Sequence, residues 1–238
     1  MDIPILFEDD AMIAINKPPG IVVNNAESVK GETVQDWMAA HFALDTSLKT
    51  EETKDFFDRE GIVHRIDKET SGILLIAKTP EAFAELQRQF KERLIHKTYL
   101  AIAHGKLVPD TGEINAPVGR LPWNRERFGI VPGGKESVTR YKVQETWDRG
   151  NDKFSLIELY PQSGRTHQIR VHLKYINHPI VGDYLYAGRK TARDDRTWAP
   201  RVMLHAWKLT CIHPVTQHEL AIEAPIPDDM NGIIHGRT

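Results

Sequence analysis

Cysteine occurs once in this sequence, at Cys211, which excludes an internal disulfide framework and any cysteine-rich zinc site. No apolar run approaches the roughly 20 residues that span a bilayer. The opening stretch MDIPILFEDD is acidic, where a secretory signal would be basic and then apolar. Neither G-x-G-x-x-G nor G-x-x-x-x-G-K-[ST] is present, so the glycine-rich cradles for dinucleotides and triphosphates are missing. Ser71 lacks the flanking glycines of a G-x-S-x-G elbow and reads as a turn residue, not a nucleophile. There is no internal repeat and no low-complexity tract. These absences point to a soluble protein of a reducing compartment, expected in the cytoplasm, and argue against an ATP or NAD enzyme.

Positive charge is scarce only on average. The 238 residues carry a net charge of −2, but residues 1–60 hold 13 acidic and 5 basic side chains, while residues 61–238 hold 20 and 26. An acidic start is thus followed by a basic remainder of net +6. Local basic surface, not the whole-chain sum, attracts phosphates, so a nucleic-acid partner is permitted. At 40% hydrophobic residues the chain can build one large domain or two small ones.

The pattern along the chain predicts more strands than helices. IPILFEDD-AMIAINK reads as two strands about an acidic turn, closed by Pro18-Pro19-Gly20. A short helix is expected in TVQDWMAAHF, with Val34, Trp37, Met38 and His41 along one side, and a charged surface excursion over 45–60. A buried strand over 73–78 precedes a helix whose cap is Thr79, whose first residue is Pro80 and whose apolar stripe is Phe83, Leu86, Phe90 and Leu94. HKTYLAIAHG alternates as a strand, and SVTRYKVQETW pairs with KFSLIELYP through the turn DRGND. Residues 117–135 and 188–200 read as basic loops. SGRTHQIRVHLKYINHP reads as a helix from near Thr166, with Ile169, Leu173 and Ile176 inward and Asn177 and Pro179 ending it. RVMLHAWKLTCIHP and HELAIEAPIP finish as strands. Without a regular βαβ rhythm, the expected class is α+β with a largely antiparallel sheet.

Three constellations carry possible chemistry. In HRIDKETSG (64–72), an extended backbone puts Arg65 and Asp67 on one face, and cations on both sides of Asp67 favour its ionised form. The bland alternative is a surface ion pair. No second carboxylate accompanies Asp67 in the basic part, against a two-carboxylate glycosidase. In SGRTHQIR, Arg170 sits at the edge of the core stripe, able to reach inward to a carboxylate. His167 and His172 are five apart, a poor spacing for two ligands on one helix face, so no metal is expected. Tyr99 is either a packing residue or an aromatic face for a nucleobase.

Taken together, NKPPG (16–20), HRIDKETSG (64–72), KTYLAIAHG (97–105), SGRTHQIRVHL (163–173) and MLHAWKL (203–209) resemble, in order, the motifs of the RluA family of pseudouridine synthases. The HRxDxxTSG element is the most specific of them. The resemblance implies an α+β fold with a long, mostly antiparallel mixed sheet flanked by helices and loops, and an active site in a central cleft. It implies a single catalytic domain over 1–238, without the separate N-terminal RNA-binding domain of many members, acting as a monomer. It also implies an isomerase that turns specific uridines of structured ribosomal or transfer RNA into pseudouridine without a cofactor or metal. On that match Asp67 is the catalytic carboxylate, Tyr99 the active-site tyrosine, and Arg170 the arginine that pairs with the aspartate. Arg65 enters the RNA where the target base leaves the stack, and His64, Lys97 and Arg165 join the RNA-binding set. The carboxylate's role stays open between attack on the sugar, attack on the base, and stabilising charge as a glycal forms. Two rivals are an inactive RNA-binding protein on the same scaffold and an Asp67-dependent hydrolase. Target choice is expected in the loops 24–60, 117–135 and 186–201. Arg120, Arg125, Arg127, Arg189, Lys190, Arg193 and Arg196 are candidate backbone contacts.

Overall fold

Near the N-terminus Ile5–Glu8 and Met12–Lys17 form an antiparallel pair. Its turn is tied by Asp9, whose carboxylate accepts the Ala11 and Met12 N–H groups at 2.8 and 2.9 Å. The computed structural model describes residues 1–27 and 29–236, with the side chain of Arg125 also outside the described set. In chain order the elements are β1 (Ile5–Glu8), β2 (Met12–Lys17), α1 (Val34–His41), α2 (Lys54–Asp58), β3 (Ser71–Ala77) and α3 (Pro80–Glu92). Next come β4 (His96–His104), β5 (Thr111–Asn115), β6 (Val118–Leu121), β7 (Asn124–Ile130), β8 (Val138–Arg149) and β9 (Asp152–Pro161). The chain closes with α4 (Gln168–Tyr175), α5 (Arg189–Asp195), β10 (Leu204–Ile212), β11 (Glu219–Glu223) and α6 (Asp228–His235). The class is α+β with antiparallel ladders, as expected. The chain divides into two compact units, one formed by Met1–His96 with Ala206–Pro225, the other by Lys97–His205 with the residues from Ile226 onward.

In the first unit the sheet order is β1-β2-β3-β10, with β11 beside β10. All seven residues of β3 are buried, which is why Ile73–Ala77 is an unbroken apolar run and does not alternate. The helix α3 starts as its sequence predicts: Thr79 accepts the Ala82 N–H, and Pro80 occupies the first position, where no N–H is needed. Phe83 and Leu86 are buried, but the helix stops at Glu92 through a left-handed Arg93, so Leu94 is 43% exposed and Ile95 turns inward instead. Gln89, fully buried, bonds both backbone groups of Ile212 and fastens α3 to the end of β10. The excursion over 45–60 is not wholly solvated: α2 drives Phe56 and Phe57 into the core, Phe56 edge-on to Phe83 at 5.7 Å. Charged neighbours concealed that anchor.

In the second unit the order is β4-β9-β8-β5. The turn DRGND joins β8 to β9 as expected. Residues 117–135 depart from the expected loop, since β6 and β7 pair as a separate two-stranded hairpin. Glycine there makes room for side chains: a Cβ on Gly129 would meet Leu121 at 2.7 Å. Residues 188–200 contain α5, which buries only Ala192 and Asp195 and so shows no apolar stripe. The helix expected near Thr166 begins at Gln168, after a left-handed His167, and Ile176 caps its end half-buried.

His172, fully buried on α4, donates from Nε2 to the Ala116 carbonyl, and its Nδ1 meets the Thr139 hydroxyl at 2.9 Å. Burial holds its pKa below the ordinary 6.5. The unfolded chain therefore takes up a proton at this ring before the folded one does. The histidine's contribution is complete above about pH 6.5 and is lost as pH falls through the lower folded value. Urea unfolding between pH 7 and 5 should show this loss, and His172→Gln should flatten part of that slope.

Among the described residues no helix is long and apolar enough to cross a membrane.

Candidate active site

The first unit holds the HRIDKETSG segment. Gly61, with φ +74°, lets the chain pass β3 so closely that a Cβ there would stand 2.0 Å from the Ala77 carbonyl oxygen. From there His64–Asp67 runs outside the regular elements. The Nε2 of His64 accepts the Leu75 N–H at 2.9 Å, so its ring proton sits on Nδ1, and the ring packs against Phe90 at 4.6 Å. Arg65 is exposed, Ile66 buried, and His64 and Asp67 half-buried. Asp67 then opens a turn in which its own carbonyl accepts the Thr70 N–H at 3.1 Å.

The NKPPG stretch explains why this turn is stiff. Lys17 is fully buried, and its ammonium donates to the carbonyls of Pro18, Ile21 and Lys68 at 2.8, 3.0 and 3.1 Å. Gly20 adds an N–H bond to the same Lys68 carbonyl at 2.7 Å. Beyond the turn Gly72, φ +108°, leaves no space for a side chain, because a Cβ would lie 2.2 Å from the Ala206 carbonyl oxygen. Thus NKPPG and the Ala206 of MLHAWKL both serve the backbone around Asp67. Lys17→Met keeps the stem and removes three charge-assisted donors. It is expected to cost about 2–3 kcal/mol in urea unfolding, together with a loss of activity.

The second unit holds the other candidates. Tyr99 stands half-buried on β4 opposite Leu159 of β9. Two positions earlier, burial pushes the Lys97 ammonium down to about 8. Its Nζ lies 3.8 Å from where a Cβ on Gly164 would stand, so Lys97 meets the start of SGRTHQIR. That motif is organised by Gln168, which the sequence reading passed over. Its carbonyl oxygen accepts the Ser163 hydroxyl and the Arg165 N–H, and its amide donates to the Val138 carbonyl and the Thr139 hydroxyl. Arg165 is half-buried, with its Nε shielded from water.

Arg170 is 6% exposed and grips Asp183 with two parallel bonds, Nε to Oδ2 at 2.7 Å and Nη2 to Oδ1 at 2.9 Å. Asp183 is fully buried and also accepts the Leu185 and Tyr186 N–H groups. The guanidinium lies over the Tyr186 ring at 5.1 Å, and the Tyr186 hydroxyl meets His167 Nδ1 at 2.9 Å. A side-on fork of this kind uses Nε and one Nη. Asp183 and Tyr186 lie in VGDYLY, where an aspartate after glycine resembles an ordinary turn and gave no signal. His64, Arg65 and Asp67 therefore share one segment of the first unit, while Lys97, Tyr99, Arg165 and Arg170 belong to the second. Of the basic candidates, Arg196 has a structural task, donating to the Gly182 and Pro200 carbonyls. Among the described residues no group of three or more His, Cys, Asp or Glu could hold a metal ion.

Comparison with known proteins agrees with the motif reading. The family described as RNA pseudouridylate synthase matches residues 11–175. The ribosomal large subunit pseudouridine synthase D of Nitrosomonas europaea is 40% identical over 235 residues, covering 97% of this chain and 64% of that protein. Its namesake from Neisseria meningitidis serogroup A is 38% identical, covering 97% and 60%. The uncharacterized RNA pseudouridine synthase YhcT of Bacillus subtilis is 38% identical, covering 98% and 71%. This chain thus spans less than two thirds of the length of the first two relatives. Among solved structures, human RNA pseudouridylate synthase domain containing 1 superposes with a TM-score of 0.72 at 27% identity, covering 94% of this chain and 83% of that one. With the motifs in order, the family match over most of the chain and the shared fold, this chain belongs to the RNA pseudouridylate synthase family.

Proposed function

We propose that this protein is an RNA pseudouridine synthase, a cofactor-independent isomerase in which Asp67 is the catalytic carboxylate. The observation that carries the reading is the way Asp67 is presented. It is half-buried on a turn fixed by the buried Lys17 ammonium, two positions after an exposed Arg65. A structural ion pair would not need so stiff a mount. In the reaction the N1–C1′ bond of uridine breaks, the uracil turns, and C5 bonds to C1′ as the C5 proton leaves and N1 regains one. An ionised, oriented carboxylate suits the bond-breaking step. Arg170, itself aligned by Asp183 and Tyr186, is the arginine assigned to pair with that carboxylate. Tyr99 gives the uracil an aromatic face. Arg65 fills the space the flipped base leaves, offsetting a few kcal/mol of lost stacking. His64 fixes the backbone that carries Arg65, and Lys97 and Arg165 take backbone phosphates.

The relatives' names favour large-subunit ribosomal RNA as substrate, with transfer RNA as the second candidate. The protein acts as a monomer in the cytoplasm, with the single catalytic domain over 1–238 sufficient for turnover. The test is release of tritium to water from ribosomal and transfer RNA labelled at C5 of uracil, in buffer and salt alone. Release from ribosomal RNA is the expected result. Release from neither RNA refutes the reading, and free uracil as product would make the protein a hydrolase.

A further inference from the structure

The β6–β7 hairpin turns its largest apolar side chain out to water. Leu121 pairs with Asn124, which makes Pro122 and Trp123 the two turn residues, and proline fixes the backbone at the first. Trp123 is 79% exposed, more than any other large hydrophobic side chain described. An indole left in water contributes nothing to the fold, whereas one that packs buries 150–250 Å² or so. Around it, residues 118–130 carry Arg120, Arg125 and Arg127 against Glu126 alone. An exposed flat aromatic in a basic segment suits a partner that offers flat rings on a phosphate chain, which is single-stranded or looped RNA.

The base of the hairpin is anchored at the candidate site. Val118, Phe128 and Ile130 pack with Val171 and Tyr186. The Phe128 N–H donates to the Tyr186 hydroxyl at 3.1 Å, and the Phe128 ring stands edge-on to His167 at 5.6 Å. Arg120 lies over the Phe128 ring at 5.3 Å. The same Tyr186 carries Arg170 on its face. The hairpin is therefore a short arm bolted to the residues that align Arg170, with its tip free.

We propose that Trp123 stacks on an unpaired base of the substrate RNA outside the target nucleotide, with Arg120 and Arg127 at the flanking phosphates. This rests on the reading of the chain as an RNA-modifying enzyme and places part of its substrate recognition. The experiment uses the full chain carrying Asp67→Asn, so that RNA binds without turnover, and an unmodified transcript of large-subunit ribosomal RNA as probe. Trp123→Ala should weaken binding about tenfold and Trp123→Phe only two- to threefold or so, since phenylalanine still stacks. Val108→Ala, at another exposed apolar position, should leave affinity unchanged. RNA should quench tryptophan fluorescence, and Trp123→Phe should abolish most of that quench while binding persists. Unchanged affinity in Trp123→Ala, or equal loss in the Phe and Ala variants, overturns the stacking role. Quenching by ribosomal proteins and not by the transcript also overturns it, assigning the indole to a protein partner. If the native enzyme isomerises no uridine yet the transcript binds and quenches Trp123, the catalytic reading fails and the stacking site stands.

Discussion

Asparagine in place of Asp67 is expected to abolish turnover while leaving the protein folded and able to bind RNA. The two side chains have the same shape, and the turn is closed by the Asp67 main-chain carbonyl, which the substitution keeps. The stiffening bonds from Lys17, Gly20 and His64 involve other atoms and also persist. What disappears is one negative charge and its nucleophilicity. Removal of a reacting group typically costs three or more orders of magnitude, so tritium release should fall by about 10³-fold or below detection. Affinity for RNA should hold within a small factor. Retained turnover in Asp67→Asn would remove this residue from the chemistry.

The second large effect is expected at Asp183. Asparagine there removes the charge that the Arg170 fork grips and replaces one of its two bonds by a donor facing a donor. Breaking a buried pair in this way costs about 3–5 kcal/mol. For a chain of this size that lowers the melting temperature by about 10 °C. Activity should fall too, because Arg170 loses the fork that aims it. The paired replacement Arg170→Met with Asp183→Leu separates the two consequences. It removes both charges, so it should regain the part of the stability lost to the broken ion pair, but not the part carried by the Leu185 and Tyr186 N–H bonds, while remaining inactive. A double variant that recovers both would show the pair to be structural only.

The sequence was most legible where one signal acted alone. Thr79-Pro80 announces α3, and the apolar run before it can only be a buried strand. The turn DRGND, with two strand-like runs beside it, reads directly as β8–β9. Legibility failed where composition and packing disagreed. Glycines and arginines made 117–135 look like a loop, yet Gly129 is there so that Leu121 can cross it within a hairpin. The α5 helix has too narrow a buried face to show a period, and Leu94 continues the α3 period on paper after Arg93 has already turned the chain. At the site, HRIDKETSG stood out because so dense a motif has few structural explanations. Its supports did not. Lysine reads as a solvated charge, so the burial of Lys17 was invisible, and Gln168 and Asp183 act through hydrogen bonds that leave no periodicity. Such partners are set by tertiary contacts, which a linear pattern does not encode.

The close passage of Gly72 against Ala206 also bears on how the protein is made. The two residues lie about 130 positions apart, and the unit around Asp67 takes strands from both ends of the chain. As the chain leaves the ribosome, the first 96 residues emerge long before the strand that covers one side of β3. Until Ala206 follows, a largely apolar strand waits with an open edge, the kind of surface that invites pairing with another chain. Loop closure over that span slows the last step further. The turn that carries the catalytic carboxylate is therefore completed late in synthesis, so activity itself marks a chain whose two ends have found each other.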